Sequence, residues 1–480
     1  MKNKHVILVV FFLCIIFLYQ FKLIYRPVID NDEGIYTTSL LLINNGNPAY
    51  RQTFLSQPPG FILAVYSGFK LFGQNLQAAR FTIGLWSLIG ALAVLWIGCE
   101  LKNTWQTILA MSLSYLIPTF YIQTNVLQSD ILVVTFSLLS LAAMVKFINS
   151  KKIFWFVITS FFLNFAFWTK FDISLIPSMI FMIILFYYKK EISPSKLFSM
   201  IMIFSITSII FFLLFIFPFG ISDVFRNTVG LRLKALTFYP LTHDLFLSYL
   251  KKDLILLLIV MVGILLSIIN RARLKYPAII FLIWELTTIF FLIIYQPLFP
   301  HHLSLLVMPA TLFFSYQFGY VLQNKRYAFK VISVIVLIIS ISYRIYIVIK
   351  TPSEILTGQQ KSAVSIIKEY TNLHDYVISD EAILNAESGR LPPPALADIS
   401  FVRIQSKDIS TDRFIQIVNK YKPKLIIAWN GRLQSINNFK SSIVDYRLLS
   451  SLAWGKNIYI RNNNHAYFFS EYSVKLPLNK

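Results

Sequence analysis

Residues 197–219 read LFSMIMIFSITSIIFFLLFIFPF, an apolar run without a single charged side chain. A helix of about 20 apolar residues is long enough to cross the hydrocarbon core of a bilayer. Comparable runs recur up to residue 349, and they predict a polytopic α-helical membrane protein with about eleven transmembrane helices. The predicted bounds are 5–25, 79–101, 104–122, 127–148, 153–170, 172–188, 197–219, 253–270, 277–296, 302–323 and 328–349.

The composition of the chain supports the same class. Hydrophobic residues make up 56% of the 480 residues and charged residues only 14%, which is more apolar surface than a soluble protein can bury. The formal net charge is +22, but Lys and Arg form short runs between apolar segments, as in membrane topology signals rather than nucleic-acid sites. Cys14 and Cys99 both lie in apolar segments, which excludes a disulfide framework and a thiolate metal site.

The distribution of positive charge predicts the orientation in the membrane. Basic clusters fall in alternate loops, and such clusters mark the cytoplasmic side. The N-terminus is then cytoplasmic, whereas residues 26–78, residues 220–252 and everything after Lys350 face outward. The predicted location is therefore the cell membrane, multi-pass, with the polar chemistry outside. The clusters are Lys151-Lys152, Lys189-Lys190 with Lys196, Arg271-Arg273-Lys275 and Lys325-Arg326.

The chain is predicted to form two domains. Residues 1–350 are the transmembrane domain and include an outer loop, 26–78, with juxtamembrane helices. Residues 351–480 have ordinary charge density and short apolar runs, which predicts a soluble extracytoplasmic α/β domain. Within it, residues 412–421 have helical spacing and precede a strand at 424–429, which is the order of an α-then-β unit.

Three carboxylates open the outer loop, in the sequence Asp-Asn-Asp-Glu-Gly at residues 30–34. Asp30 and Glu33 have the spacing of a helix cap and its partner, and the helix would end at Gly46. That interpretation leaves Asp32 without a structural role. A carboxyl group beside other carboxylates has a raised pKa, which suits a general base that takes a proton from a hydroxyl near neutral pH.

A set of motifs around these acids resembles the GT-C membrane glycosyltransferases. The order and spacing are similar to those of family 39 protein O-mannosyltransferase relatives and of the lipid A aminoarabinose transferases. The resemblance covers the first half of the membrane domain best. The motifs are Asp32-Glu33, Tyr36, Gly46-Asn47-Pro48-Ala49-Tyr50, Pro58-Pro59, Leu71-Phe72-Gly73 and Ala78-Ala79-Arg80.

The resemblance implies an inverting transfer of a sugar from a polyprenyl-phosphate donor on the extracytoplasmic face. Residues 1–350 would be the catalytic domain, with Asp32 as base and Glu33 and Asp130 completing the catalytic set. The acceptor would be a hydroxyl or similar group of a lipid, glycan or protein, and it would attack the anomeric carbon opposite the phosphate in one step. Membrane lipids are the other expected partners, and nucleic acid is not expected.

The same resemblance predicts which side chains bind substrate. Lys170 would suit the phosphate, although a lysine that snorkels and pairs with Asp172 is an equal alternative. His302 would contact phosphate or acceptor, and the alternative is an interfacial histidine. Gln57 stands where the aminoarabinose transferases have Lys, so it cannot supply that charge. The full predicted set is Tyr36, Gln57, Arg80, Lys170 and His302.

Several alternatives remain at this point. Asp130 would also serve simply as an acid at a helix N-terminus, and the outer-loop cations Arg226, Arg232 and Lys234 are better explained by lipid headgroups. No metal ligand set is predicted, because adjacent histidines are a poor zinc signature, although some GT-C enzymes use a divalent metal. A transporter or a noncatalytic cell-envelope assembly protein would share the membrane architecture. The segment 388–398 resembles the C-terminal outer domain of a bacterial or archaeal subset.

Overall fold

A computed structural model describes residues 21–239, 243–269, 276–452 and 455–462, together with Leu18. The predicted first transmembrane segment, 5–25, lies mostly outside the described residues, as does the basic cluster at 271–275. Within the described chain, six helices are long and apolar enough to cross a membrane, and a bent pair would make a seventh span. The protein is thus a polytopic helical membrane protein.

Twenty α-helices are found in the described residues. They are α1 Asn31–Asn44, α2 Pro59–Phe72, α3 Leu76–Glu100, α4 Thr104–Ser114, α5 Pro118–Gln123, α6 Asp130–Ser150, α7 Ile153–Lys170, α8 Ile176–Tyr188, α9 Pro194–Phe215, α10 Ile221–Phe225, α11 Leu231–Ala235, α12 His243–Lys252, α13 Leu254–Ile269, α14 Tyr276–Ile294, α15 Ser304–Val321, α16 Arg326–Lys350, α17 Gly358–Tyr370, α18 Ala382–Ser388, α19 Phe401–Gln405 and α20 Thr411–Tyr421.

Within the described residues, the predicted apolar segments coincide with helices, but fewer of them than predicted are full-length spans. The segment predicted at 104–122 is divided, because α4 ends at Ser114 and Pro118 starts a new short helix, as proline does at a first helical position. The segment predicted at 172–188 contains only the 13 residues of α8, about 20 Å of helix, which is shorter than the hydrocarbon core. Helices α12 and α13 meet at an angle of 105°.

Helix α6 is the centre of the helix bundle. Of its most apolar stretch, 89% is buried, against 22% for α9. It packs against α3 and α7. At Gly90 of α3 an added Cβ would lie 2.8 Å from Oγ1 of Thr135 in α6, so a glycine is needed for this close approach. The tight packing holds the first residue of α6, Asp130, in a defined position.

The outer loop 26–78 contains α1 and α2, as predicted. Asp30 caps α1, and its Oδ1 accepts a hydrogen bond from the Asp32 N–H at 3.0 Å. Gly46 follows the helix with a φ of +84°, in the left-handed region that favours glycine. The predicted cap and the predicted helix end are confirmed. Glu33 does not complete a capping box and instead binds Arg80, as described below.

The last part of the described chain, residues 351–462, forms a four-stranded mixed sheet with flanking helices, here called the C-terminal region. The strand order is β1-β2-β4-β3, with β1 parallel to β2 and the other pairs antiparallel. The predicted α-then-β unit is confirmed, because α20 leads directly into β2. The strands are β1 Val377–Ser379, β2 Leu425–Ala428, β3 Tyr446–Leu452 and β4 Lys456–Arg461.

The C-terminal region packs directly on the outer loop. Oγ1 of Thr38 donates to the Ala382 carbonyl at 2.9 Å, which joins α1 to α18. The Arg403 guanidinium lies 3.6 Å from the centre of the Phe54 ring. At Gly34, an added Cβ would lie only 2.5 Å from the backbone nitrogen of Ile383. Backbone meets backbone at this point, so any side chain at position 34 must displace one of the two helices.

We expect Gly34→Ala to destabilise the protein by about 1–3 kcal/mol, the usual cost of an overpacked contact. The measurement is thermal unfolding of the purified chain in detergent. The matched control is Gly358→Ala at the first position of α17, where nothing lies within 4 Å of an added Cβ. That variant should be neutral or slightly stabilised, and equal losses in both variants would contradict the packing argument.

Candidate active site

A cavity lies between the outer loop, the segment before α15 and the C-terminal region. It has two chambers of about 120 Å³ and about 260 Å³. Both chambers are lined by Asp32, so this carboxyl stands where they meet. The other residues that line both are Phe299, His301, Ser400 and Val402.

Asp32 has the carboxyl group with the chemistry of a general base. It lies in the first turn of α1 and is partly exposed to the cavity. Its pKa is raised to about 7, mainly by burial and also by the charges of Asp30 and Asp398, against the opposing effects of His301 and Arg432. A base with this pKa is deprotonated in part at neutral pH and still accepts a proton readily.

Asp30 has the opposite behaviour. Burial alone would raise its pKa, but the hydrogen bond and charge of His301 and the hydrogen bonds from Asp32 and Gln128 lower it below the usual value. Its Oδ2 accepts from Nε2 of Gln128 at 2.8 Å and lies 3.4 Å from Nδ1 of His301. Two neighbouring carboxyls therefore differ in protonation, with Asp30 ionised and Asp32 the one that exchanges a proton.

Asp130 and Lys170 form a buried ion pair. Each side chain is 1% exposed, and the Lys170 ammonium binds Oδ1 of Asp130. The alternative pairing of Lys170 with Asp172 is wrong, because the Asp172 carboxylate accepts from the Ser174 N–H at 2.8 Å. Asp130 thus orients a basic side chain beside the cavity.

Tyr295 lies between two cations. The Arg232 guanidinium is 4.8 Å from the centre of its ring and donates to its hydroxyl, and the Lys170 ammonium is 5.6 Å from the ring centre. Arg232 and Tyr295 both line the smaller chamber. The prediction that Arg232 serves lipid headgroups is therefore corrected. Tyr295 was missed, because a tyrosine at a helix end is usually an interfacial residue.

Both histidines of the segment before α15 belong to the site. Nδ1 of His302 accepts from the Phe299 N–H at 3.2 Å, which leaves its proton on Nε2. Burial lowers the pKa of His302 well below the usual value, and the charges of Lys170, His301 and Arg232 lower it further. His302 is thus neutral. The nitrogens of His301 lie 3.4 Å from Asp30 and 3.9 Å from Asp130. The sequence predicted a role for His302 only and did not indicate these contacts of His301.

Tyr36 and Gln57 line the smaller chamber, as expected for residues that contact substrate. Nε2 of Gln57 donates to the Tyr36 hydroxyl at 2.9 Å, and its Oε1 accepts from Oγ of Ser129 at 3.3 Å. The amide thus links α1 to the start of α6. It also keeps this wall of the chamber uncharged.

Glu33 and Arg80 are placed differently from the prediction. They form a fully buried, two-pronged ion pair with both oxygen–nitrogen distances at 2.7 Å. The remaining Arg80 N–H groups donate to the carbonyls of Ile24 and Arg26, and Oε1 of Glu33 also accepts from the Leu127 N–H. Neither side chain lines the cavity. We assign the pair to support of the outer loop rather than to catalysis or substrate binding.

One group in the described chain has the composition of a metal site. Ligand atoms of Asp130, His301 and His302 lie within 4.8 Å of one another. However, Lys170 already neutralises Asp130, and Arg232 lies close by. Two positive charges beside the three ligands disfavour a divalent cation. The sequence did not indicate this group, because Asp130 precedes His301 by 171 residues.

The C-terminal region supplies one wall of the cavity. Asp398 lines the smaller chamber and Arg432 the larger one. Asp398 is 5% exposed, and its Oδ1 has no hydrogen-bond partner within the described chain. Burial raises its pKa. The segment 388–398, for which the sequence indicated no role, therefore reaches the site.

The fold is that of the GT-C membrane glycosyltransferases. ArnT from Cupriavidus metallidurans in the apo state superposes with a TM-score of 0.68 at 13% identity, over 95% of this chain and 98% of that chain. The same protein bound to undecaprenyl phosphate gives 0.67 at 12% identity, over 96% and 98%. The Archaeoglobus fulgidus oligosaccharyltransferase tethered with an acceptor peptide gives 0.54 at 13% identity, over 87% and 68%.

A family model agrees with this class. Residues 56–221 match the family described as dolichyl-phosphate-mannose-protein mannosyltransferase. No curated protein matches the sequence. The resemblance to the GT-C membrane glycosyltransferases is confirmed by the shared fold, and the family model covers its motifs from Pro58-Pro59 onward. The oligosaccharyltransferase has also been crystallised in complex with Zn and sulfate, with a TM-score of 0.51 at 12% identity over 94% of this chain and 73% of that chain.

Proposed function

We propose that this protein is an inverting glycosyltransferase that moves a sugar from a polyprenyl-phosphate donor to a hydroxyl acceptor on the extracytoplasmic face. The observation that carries the proposal is one small chamber lined by a carboxyl with a pKa of about 7, Asp32, and by a guanidinium, Arg232. A base for the acceptor and a cation for the leaving phosphate are the two groups that this reaction needs.

The transfer itself takes one step. The acceptor hydroxyl gives its proton to the Asp32 carboxylate, and its oxygen forms a bond to the anomeric carbon. The bond from that carbon to the phosphate oxygen breaks, and the polyprenyl phosphate leaves with the electron pair. Arg232 donates to the phosphate as negative charge develops, and neutral His302 offers an N–H from the same chamber. The Lys170 ammonium, behind Tyr295, compensates the charge of Asp130, so that this carboxylate does not repel the leaving phosphate.

The proposed orientation follows from the two ends of the bundle. Asp32, Asp130 and His302 lie at one end, whereas the loop with Lys151 and the pair Glu100–Lys146 lie at the other. The basic clusters mark the second end as cytoplasmic. The cavity and the C-terminal region then face outward, where a polyprenyl-phosphate sugar would be used.

The test is the transfer of radiolabelled sugar from polyprenyl-phosphate donors to a membrane extract by purified protein in liposomes. We expect the rate to rise tenfold per pH unit below about 7 and to level off above it, because the pKa of Asp32 is about 7 and only its ionised form accepts a proton. His302, with its lowered pKa, stays neutral across this range. A rate that falls between pH 6 and 8 would contradict the assignment.

Asp30→Asn is the matched variant for this pH profile. Asparagine also caps helices, so α1 should remain intact. The variant removes a negative charge that raises the pKa of Asp32. The rising limb should therefore move to lower pH, and a limb that stays in place would show that another group titrates.

A further inference from the structure

A second polar cavity, of about 360 Å³, lies at the other end of the bundle. It is formed where α4 begins, α15 ends and α16 begins. Helix α3 carries Arg80 near the site described above and is followed by Lys102, which lines this cavity. At 1.5 Å per residue, the 25 residues of α3 separate the two cavities by roughly 35 Å. The second cavity is therefore independent of the first.

All charged side chains that line this cavity are positive. Lys102, Arg326 and Lys330 line it, and the lining contains no carboxylate. All three side chains are exposed, and none forms an ion pair with a carboxylate of the described residues. Such a concentration of unneutralised positive charge in a cavity attracts an anion.

Two helix N-termini add to the positive potential. Helix α4 begins at Thr104 and α16 begins at Arg326, both at the cavity. Neither preceding residue, Asn103 or Lys325, caps its helix with a side chain, whereas Asp30 and Ser193 do so elsewhere. The positive ends of both helix dipoles are thus open towards the cavity.

Aromatic residues place the cavity at the depth of lipid headgroups. Trp105 and Tyr320 line it, and Tyr327 beside it is 81% exposed. Trp and Tyr concentrate at the membrane–water interface. Basic pockets between transmembrane helices at this depth bind anionic headgroups.

We propose that this cavity binds a phosphate group at the membrane face opposite the active site. Lys102, Arg326 and Lys330 would hold its oxygens, with the N-termini of α4 and α16 facing it. The phosphate would belong to an anionic lipid headgroup or to a free phosphate ester. Phe329, buried in the same wall, provides an apolar contact for the rest of the ligand. This site does not depend on the transfer reaction.

The experiment is native mass spectrometry of the full chain in detergent, titrated with phosphatidylglycerol, phosphatidylcholine and glycerol phosphate. The variant is Lys102→Gln/Arg326→Gln/Lys330→Gln. Each cation near an anionic headgroup raises the binding affinity roughly fivefold. The triple variant should therefore bind phosphatidylglycerol about 100-fold more weakly. Tight binding of phosphatidylglycerol alone identifies a lipid, and equally tight binding of glycerol phosphate identifies a free ester.

The matched control is Lys152→Gln/Lys189→Gln/Lys190→Gln, which removes the same charge from the same end of the bundle but outside the cavity. It should weaken phosphatidylglycerol binding less than about threefold, because diffuse attraction is small once salt screens it. Equal losses in the two variants, unchanged binding in the first, or equal affinity of the wild type for phosphatidylcholine would each overturn the proposal. Because every side chain changed is exposed or nearly so, both variants should fold.

Discussion

Asp32→Asn should lower sugar transfer by about 100- to 10,000-fold, the range that a positioned general base contributes. The amide keeps the shape of the carboxyl but cannot take the acceptor proton. Donor binding should remain, because the phosphate contacts come from Arg232 on another element of the chain. The measurement is the initial rate of transfer in liposomes at pH 8, together with retention of a labelled polyprenyl phosphate.

Asp412→Asn provides the control for this loss. Asp412 is exposed in the first turn of α20, so its replacement changes the same charge without touching the cavity. Its rate should match that of the wild type. If Asp32→Asn retains more than about a fifth of the rate, a value far above that for loss of a base, the chemistry lies elsewhere in the cavity.

Glu33→Gln should be the most damaging substitution for stability, by about 3–5 kcal/mol. The Arg80 guanidinium is fully buried, and the variant would leave its charge without a counterion in the interior. The expected result is a low yield and a much lower unfolding temperature in detergent. Glu191→Gln is the comparison, since its pair with Lys151 is 35–41% exposed and should be worth less than about 1 kcal/mol.

A double variant separates the structural role of Glu33 from a catalytic one. Glu33→Leu/Arg80→Met removes both charges together, and such apolar replacements of buried pairs regain much of the lost stability. Some loss should remain, because the carbonyls of Ile24 and Arg26 lose their donor. Transfer per folded molecule should return to within about tenfold of the wild type, whereas a loss as large as that expected of Asp32→Asn would make Glu33 catalytic after all.

The membrane architecture could be read from the sequence because its signals are local. Apolar length, basic clusters and the cap at Asp30 each depend on a short stretch of chain. The number of full spans could not be read so well. Pro118 divides one apolar run, and α8 is short although it is apolar throughout. The mean hydropathy over a window of residues depends on composition and does not show where a helix begins or ends.

The candidate site could be predicted only in part. Asp32, Tyr36 and Gln57 come from one loop with recognisable spacing, and they line the cavity as expected. Tyr295 lacks such a pattern, and the pattern that contains Asp398 indicated no role, because each residue is brought to the site by the packing of distant segments. The charge of a residue was also a poor guide to its role. Arg80 and Glu33 neutralise each other away from the cavity, whereas Arg232 faces the cavity. Burial and pairing decide what a charged side chain does, and both depend on tertiary contacts.

The contact between the outer loop and the C-terminal region has a consequence for the order in which the site forms during synthesis. The ribosome makes Thr38 long before Ala382, and the hydrogen bond between them spans 344 residues. Contacts over such a separation form late in folding. During synthesis Asp32 therefore lacks the wall that contains Asp398, and with it the contribution of the Asp398 charge to its raised pKa. The full set of groups that raise the pKa of Asp32 is therefore assembled only after Asp398 has been made and packed beside it.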